Sequence, residues 1–355
     1  GLSATSAPLL VGGQGFQTIT PMILTFANNV SSRPLAALLA LFLGVATIIL
    51  LTIMIQIEKR GHYMSVSKVK TTIVKQKIRN PLLNVLAHVY AYLLFLIYVI
   101  PVALVVLFSF TDSATIASKH LTLSSFTLDN YISIFQKASS YKPFVVSIAY
   151  SAIAASFVAI IVLIACRILQ KRKDRLGGAL EYGLLIPWLL PTTLMALGLI
   201  TTYNTPRVWM FNKVLTGTSV IMLIGYIIIK IPFTLRMTKA AFFSLDDSLE
   251  DAARNMGAKP FYTFMRVQLP IILPTVLAIF ALNFNGLLGD YDMSVFMYHP
   301  LNKPLGVYIK SLTDAETNAD NAALTFVYAV LMMVISAAVM YLVYGRGNKV
   351  DKSKD

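Results

Sequence analysis

The sequence predicts an all-α polytopic membrane protein, and its composition and the spacing of its apolar residues support this prediction. Of its 355 residues, 57% are hydrophobic and 13% are charged, whereas a typical soluble domain has about 45–50% apolar and about 25% charged residues. The apolar residues form blocks of roughly twenty, which is the length that crosses about 30 Å of hydrocarbon as a helix. A soluble core does not accommodate such an excess, so we expect membrane spans.

Hydropathy predicts seven spans along the chain. They lie at 34–57, 84–110, 144–166, 178–202, 215–236, 267–288 and 323–345. In the fourth span, Pro187 and Pro191 are expected to kink the helix, because each removes a backbone donor and clashes with the preceding turn.

The distribution of basic residues predicts the orientation of these spans. One alternating set of segments, with Arg236 at a boundary, holds 21 of the 30 Lys and Arg residues; it comprises 58–83, 167–177, 237–266 and 346–355. The other set holds 8, and Lys230 lies inside a span. Because cytoplasmic loops carry the excess of Lys and Arg, the first set and the C-terminus are predicted to face the cytoplasm. The net charge of +14 is then an orientation signal, and nucleic acid is not an expected partner.

The loop 243–274 contains the pattern with the most functional information. Ser248 is a predicted helix N-cap, and Glu250 and Asp251 suit the positive end of the helix dipole. Gly257 stands where a left-handed residue would end this helix. The predicted apolar face comprises Leu249, Ala252, Ala253 and Met256. A two-turn helix of this kind either lies on the membrane surface or inserts into a groove on a soluble partner.

A family resemblance favours the second alternative. Asp-Ala-Ala at 251–253, Gly257 after three residues, and Val-Gln-Leu-Pro at 267–270 after nine more resemble the EAA motif of type I binding-protein-dependent ABC importer permeases, Glu-Ala-Ala-x3-Gly-x9-Ile-x-Leu-Pro. Asp251 stands where the family usually has Glu, and Val267 where it has Ile. The resemblance covers about 84–345 and implies a six-span type I permease core, with one additional N-terminal span, in the bacterial plasma (inner) membrane.

The resemblance also implies a mechanism and a set of partners. The loop helix is expected to dock on a separate ATP-binding subunit, present in two copies, whose closure on ATP switches the solute pathway between inward-facing and outward-facing states. ATP and Mg belong to that ATPase, and no cofactor is expected in this chain. Further expected partners are an extracytoplasmic solute-binding protein, a second permease half, fused or separate, and membrane lipid. The expected coupling residues are Glu250, Asp251, Ala252, Ala253, Met256 and Gly257.

The chain itself is not expected to be an enzyme. It contains no Gly-x-x-x-x-Gly-Lys-Ser/Thr run, which a P-loop ATPase would need. No Ser-His-Asp, Cys-His or paired-carboxylate arrangement is visible. With a single cysteine, Cys166, and four histidines that do not cluster at metal-ligand spacing, no metal site is expected either.

Polar residues in and beside the spans are candidates for the solute pathway, because ionisable and amide groups are costly in hydrocarbon. They are Lys230, Asn283, Asn285, Asp290, Tyr291 and Asp292. Four of them have a structural alternative: Asn283 can hydrogen-bond a neighbouring helix, Asp290 and Asp292 can be solvated loop acids, and Lys230 can snorkel to the interface or form a structural ion pair.

More than one solute and more than one class of transporter fit the sequence. The outer loops resemble those of ferric-iron permeases, which makes ferric iron one candidate; phosphonate, thiamine, polyamine and sugar phosphate are others. A secondary transporter or channel without an ATPase is the alternative class, since broken helices also occur there. Such a carrier has no use for a docking helix, so the loop helix favours the ATP-driven importer.

The order of features predicts the domain organisation. Residues 1–57 and 286–345 both run from a Gly-Leu segment through an outer loop with Pro and Gly into one span. Because transporters often contain internal repeats, 1–57 is expected to be the end of a preceding permease half. A basic linker at 58–83, a six-span core at 84–345 and a cytoplasmic tail at 346–355 follow.

Overall fold

The computed structural model describes residues 17–60, 78–118, 120–172, 174–246, 248–313 and 320–345, and no strand occurs among them. Their helices, in chain order, are α1 (Ile19–Asn28), α2 (Arg33–Arg60), α3 (Pro81–Ser109), α4 (Ser113–Ser118), α5 (Asp129–Gln136), α6 (Ala138–Lys171), α7 (Arg175–Leu189), α8 (Thr192–Tyr203), α9 (Ser219–Phe243), α10 (Ser248–Asn255), α11 (Pro260–Thr263), α12 (Leu269–Leu288), α13 (Ser294–Met297), α14 (Leu305–Thr313) and α15 (Asp320–Tyr344). The predicted all-α class is confirmed.

The number of predicted spans is also confirmed. Among the described residues, six helices are long and apolar enough to cross a membrane, and the bent pair α7 and α8 can form a seventh span. The two helices of this pair meet at 107°. The break falls at Leu190, which is extended (ψ 138°), and at Pro191, which has no amide hydrogen to continue the helix. The expected kink at Pro191 is therefore a full break, whereas Pro187 stays inside α7.

The described residues form two compact units, the larger of which lies within 1–51, 138–310 and 332–355. Its core is the packing of α6, α9 and α12. One cluster of buried side chains comprises Val158, Val162, Leu235 and Ile272; another comprises Tyr150, Ile221, Met222 and Leu287. Ala154 and Ala155 on α6 are fully buried, and such small residues let helices approach closely in a membrane.

The additional N-terminal span packs on this same unit. Ala36, Ala40 and Leu43 of α2 are buried with Ile23 of α1, and Leu194 of α8 packs against them. A side chain on Gly44 would lie 3.1 Å from Leu194 Cδ2. The N-terminal span thus contacts the helix that follows the break.

The smaller unit lies within 52–137 and 311–331. The Asn80 side chain accepts hydrogen bonds from the amides of Leu82 and Leu83 and begins α3, which has no buried residue in its membrane-spanning window. After α3, Tyr131 of α5 shares a 2.7 Å hydrogen bond with Ser109.

Three of the predicted segments lie partly or wholly outside the described residues. They are the start of 1–57, most of the 58–83 linker and the 346–355 tail. The division into a preceding half, a linker, a core and a tail stays a prediction.

Candidate functional site

The loop helix α10 forms where the sequence predicts it. It is described from Ser248, whose amide donates to Asp246 Oδ1 at 2.9 Å; residue 247 lies outside the described residues, so the N-cap role of Ser248 stays a prediction. Gly257 has φ +80°. The amide of Gly257 donates to the Arg254 carbonyl at 2.9 Å, and that of Ala258 to the Ala253 carbonyl at 3.0 Å. These are the two bonds of a Schellman motif, so the predicted left-handed helix end is confirmed.

A π-helical turn connects the loop to the next span. After α11, residues Phe264–Gln268 form this turn, and α12 follows without a break. Such turns accommodate one additional residue and often occur at functional sites. Gln268, the last residue of the turn, is only 3% exposed, so its amide lies inside the protein.

Glu250 of α10 connects three parts of the chain, and we call this set of contacts the Glu250 clamp. Its carboxylate accepts hydrogen bonds from Arg167 Nη1 at 3.1 Å and Nη2 at 3.3 Å. It forms an ion pair with Lys171, also at the end of α6. Gln268 Nε2 donates to Glu250 Oε2 at 3.1 Å. The carboxylate thereby joins α10 to α6 and to the π-helical turn.

Arg167 closes the clamp from the side of α6. Its Nη1 also donates to Gln268 Oε1 at 3.0 Å and to Gln170 Oε1 at 2.8 Å. The guanidinium lies 5.8 Å from the centroid of the Phe264 ring. Because Arg presents several donors in a fixed planar geometry, one side chain can hold both the carboxylate and the amide in place.

The clamp keeps Glu250 ionised. Partial burial acts to raise the pKa of this carboxyl, but the hydrogen bonds and positive charges of Arg167 and Lys171 outweigh it and hold the pKa at about 2. The side chain is 12% exposed. At neutral pH the clamp is therefore a charged, hydrogen-bonded and largely enclosed contact.

The structure separates the six expected coupling residues into two groups. Glu250 contacts the end of α6 and the π-helical turn, and Ala253 is buried, with 3% of its surface exposed. The other four are exposed: Asp251, Ala252, Met256 and Gly257. Met256 is 82% exposed. The role of these residues in coupling to an ATPase concerns a partner chain, so it stays a prediction.

Sequence reasoning missed Arg167, Lys171 and Gln268. Arg167 and Lys171 are four residues apart at the end of a span, which places them on one helix face. Gln268 is an amide within an otherwise apolar entry to the next span. These two features mark polar contacts at this end of the bundle, although neither identifies Glu250 as the shared acceptor.

Two of the expected pathway residues make structural contacts. Asn283 is buried, and its Nδ2 donates to Thr234 Oγ1 at 2.7 Å, which joins α12 to α9. Asp290 Oδ2 accepts hydrogen bonds from the amides of Met293 at 3.2 Å and Ser294 at 3.1 Å and so begins α13. The Asn283 contact agrees with the structural alternative considered for it, whereas Asp290 is partly buried and bonded to backbone amides, so the alternative of a solvated loop acid is wrong for this residue.

The other expected pathway residues lie at or near the C-terminal end of α12. Tyr291 and Asp292 are partly buried beside Asp290. Asn285 Nδ2 donates to the Ser336 carbonyl at 3.5 Å, while its buried Oδ1 has no hydrogen-bond partner. The Lys230 ammonium lies against Gly286. Contact between these residues and a solute stays a prediction.

Throughout the described residues, no group of three or more His, Cys, Asp or Glu side chains could hold a metal ion.

Comparison with known proteins gives a consistent result. Residues 77–345 match the family model described as "Binding-protein-dependent transport system inner membrane component". A probable ABC transporter permease protein, y4fN of Sinorhizobium fredii, is 36% identical over 343 residues, which are 96% of this chain and 59% of that protein. The chain thus spans less than two thirds of the length of this relative.

More distant similarities agree with these matches. A putative 2-aminoethylphosphonate transport system permease protein, PhnV of Salmonella paratyphi A, is 24% identical over 60% of this chain and 78% of its own length. A probable sulfate transport system permease protein, cysT of Prototheca wickerhamii, is 32% identical over 36% of this chain and 51% of its own length. The crystal structure of a bacterial ABC transporter involved in the import of alginate superposes with a TM-score of 0.58 at 18% identity, over 74% of this chain and 94% of the matched chain. This structural likeness shows a shared fold.

Proposed function

Because the chain belongs to the family of binding-protein-dependent transport system inner membrane components, we propose that it is the permease subunit of an ATP-driven importer and that α10 couples it to a separate ATPase. The family assignment makes the chain a multi-pass component of the inner membrane. The proposal adds the role of α10 and the partners with which it works.

The Glu250 clamp is the observation that carries the proposal. A helix that transmits force must move together with the spans, and the clamp fastens α10 to the end of α6 and to the turn that leads into α12. Charge-assisted hydrogen bonds are stronger than neutral ones. A loop helix that merely rests on a membrane surface would not need such an attachment.

The exposed face of α10 supplies the docking surface. Asp251 and Ala252 of the helix and Met256, which follows it, are exposed, whereas Ala253 is buried. Ala252 is small enough to allow the close approach of a partner groove, and Met256 is a flexible apolar side chain that adapts to such a surface. Gly257 then turns the chain away from the partner.

The partners follow from this mechanism. We propose two ATP-binding subunits that carry ATP and Mg, an extracytoplasmic solute-binding protein, a second permease half, fused or separate, and surrounding lipid. The α10 loop and the C-terminus then face the cytoplasm, as the distribution of basic residues predicts. One solved alginate transporter was determined in complex with a periplasmic protein that carries an alginate pentasaccharide, which supports the proposed class of partner.

The solute has several candidates. Ferric iron stays one of them, together with phosphonate, thiamine, polyamine and sugar phosphate. The relatives are named for 2-aminoethylphosphonate and sulfate, and the similar structure for alginate. The described residues offer no cluster of metal ligands that favours iron over the others, although a permease whose binding protein carries the cargo does not need one.

Two leucine substitutions test the docking role of α10. Ala252→Leu adds bulk to the exposed face, and overpacking of a fitted interface typically costs about 1–3 kcal/mol, so we expect a loss of ATPase association of roughly 5- to 150-fold. Ser244→Leu changes an exposed residue just before α10 and should leave association unchanged. Copurification of the ATPase with a tagged permease and solute uptake measure both effects.

Two results would contradict the proposal. Normal copurification and uptake with Ala252→Leu would show that α10 does not dock on the ATPase. Full uptake in cells that lack the ATPase would favour the alternative class, a secondary transporter or channel.

A further inference from the structure

We propose that the transported solute is a small oxoanion and that Lys230, a cation within the membrane, selects it; this inference rests on the proposed importer function. Lys230 lies about halfway along α9, Ser219–Phe243. A charged side chain at this depth is costly and usually has a function. The argument depends on where its ammonium lies and on what surrounds it.

The ammonium reaches sideways to a neighbouring helix. A Cβ atom built on Gly286 of α12 would lie 2.8 Å from Lys230 Nζ. The absence of a side chain at Gly286 therefore makes the room that the ammonium occupies. A lysine that only snorkels would direct its amine toward the nearest interface along its own helix, whereas this one is held between α9 and α12.

The ammonium has no hydrogen bond and no ion pair within the described part of the chain. Asp290 is the carboxylate that acts on it electrostatically, but the two do not form an ion pair. Asp290 Oδ2 accepts hydrogen bonds from the backbone amides of Met293 and Ser294. Two other partly buried basic side chains of this unit are paired, Arg167 with Glu250 and Lys239 with Glu181. Lys230 has no such partner among the described residues, so its donors are available to a bound group.

A cavity of about 360 Å³ adjoins this position. It is lined by Asn285, Gly286, Gly289, Met332, Met333 and Ser336. Gly286 is thus shared between the cavity and the ammonium. Asn285 lines the cavity with an amide whose Nδ2 donates to the Ser336 carbonyl at 3.5 Å and whose buried Oδ1, a hydrogen-bond acceptor, has no partner. Pockets of a few hundred Å³ accommodate small solutes.

The ammonium favours an anion with hydrogen-bonding oxygens, such as sulfate, phosphate or a phosphonate. It donates to oxygens and supplies the opposite charge. The same ammonium repels thiamine, polyamines and metal cations. Lys230 therefore acts as a specificity-determining residue in the pathway.

The experiment measures uptake by cells that express the full transporter with its native partners. Radiolabelled sulfate, phosphate and methylphosphonate are the anionic probes, and putrescine and thiamine are the cationic ones. We expect uptake of at least one anionic probe, a loss of at least about tenfold with Lys230→Met, and a loss within about threefold with Lys230→Arg, which keeps the charge. Lys213→Met, at an exposed lysine outside the spans, is the matched control and should transport normally.

Copurification of the ATPase separates this inference from the proposed function. If the ATPase copurifies with Lys230→Met but uptake of the anionic probe is unchanged, the role of Lys230 is wrong while the importer function stands. Uptake of a cationic probe, or of none of the three anionic probes, by the wild type also overturns the inference.

Gly286→Ala supplies a second test that keeps the lysine. The new methyl group would meet the ammonium at 2.8 Å and displace the flexible end of the side chain without removing its charge. We expect reduced uptake of the anionic probe with normal ATPase copurification. Unchanged uptake with this variant would contradict the proposed position of the ammonium.

Discussion

Glu250 receives hydrogen bonds or ion pairs from side chains that are far apart in the chain. Arg167 precedes it by 83 residues, and Gln268 follows it by 18. A carboxylate that satisfies several donors at once orders all of them, whereas the loss of its charge leaves two basic groups without a counter-ion. The stability of the loop is therefore concentrated in one side chain.

Substitution of Glu250 by Gln should loosen α10. The amide keeps the shape but loses the charge, and charge-assisted hydrogen bonds contribute about 1.5–3 kcal/mol each, so we expect local opening of α10 to become easier by about 1–3 kcal/mol. Hydrogen exchange of residues 248–257 measures this change. Arg254→Gln, whose side chain is 64% exposed and lies 3.6 Å from Glu250, is the control and should change exchange little. Equal exchange in Glu250→Gln and the wild type would show that the clamp does not hold the helix.

The clamp should also resist moderate acid. The folded-state pKa of Glu250, about 2, lies below the usual value of 4.5. A lowered pKa means that the ionised carboxylate stabilises the folded loop above about pH 4.5 and that this contribution is lost as the pH falls toward 2. Protection of α10, corrected for the intrinsic exchange rate, should thus stay constant from pH 8 to pH 5 and decline only below about pH 4.5.

The role of Glu250 shows which residue-level contacts a sequence predicts. The charge pattern of α10 is local, so the helix and its acidic first turn could be predicted. The partner of Glu250 could not be predicted. Arg167 lies 83 residues away in the sequence, and no sequence pattern connects two residues so far apart. The sequence therefore grouped Glu250 with Asp251 on one docking surface, whereas the structure turns Glu250 toward the spans.

α10 is a short helix whose stability depends on its ends. Two turns of helix are marginal in water, and the Schellman motif satisfies carbonyls that would otherwise lack donors. Gly257 has open space around the position of a Cβ atom, so only its backbone conformation, φ +80°, restricts substitution.

Gly257→Val should therefore destabilise the end of α10 without a steric clash. A left-handed conformation costs a non-glycine residue about 1–2 kcal/mol, and a β-branched residue tolerates it least. We expect weaker ATPase copurification and faster exchange at 253–258, with membrane insertion unchanged. Gly257→Asn is the matched control, because Asn tolerates this conformation. If Val and Asn behave alike, the conformation of this residue does not determine docking.

The spans could be predicted because hydropathy and length suffice for them. The span predicted at 84–110 is the helix Pro81–Ser109. The span predicted at 178–202 contains a break at Pro191, where a kink was expected. The π-helical turn before α12 was not predicted, since nothing in the local sequence distinguishes it from an α-helical turn. Its last residue, Gln268, bonds to Arg167 and Glu250, and these are tertiary contacts that the local sequence does not contain.

The whole chain has an orientation that can be measured. In a variant with Cys166 replaced by Ala, single cysteines at Met256 and Leu301 lie at positions that are 82% and 73% exposed. If α10 faces the cytoplasm, a membrane-impermeant maleimide should label Leu301→Cys in intact cells, but Met256→Cys only after the cells are permeabilised. The reverse pattern would contradict the orientation inferred from the basic residues.

The order in which the chain is synthesised gives Arg167 and Lys171 a second role. Both lie at the end of α6 and precede Glu250 by 83 and 79 residues, so the ribosome makes them well before their counter-ion. During that interval they are positive charges at the end of a newly inserted span, the kind of signal that retains a segment on the cytoplasmic side. When Glu250 emerges, the same two charges bind it. If α10 faces the cytoplasm, as we propose, the cations that set the topology of the span are the ones that later fasten the loop helix to it.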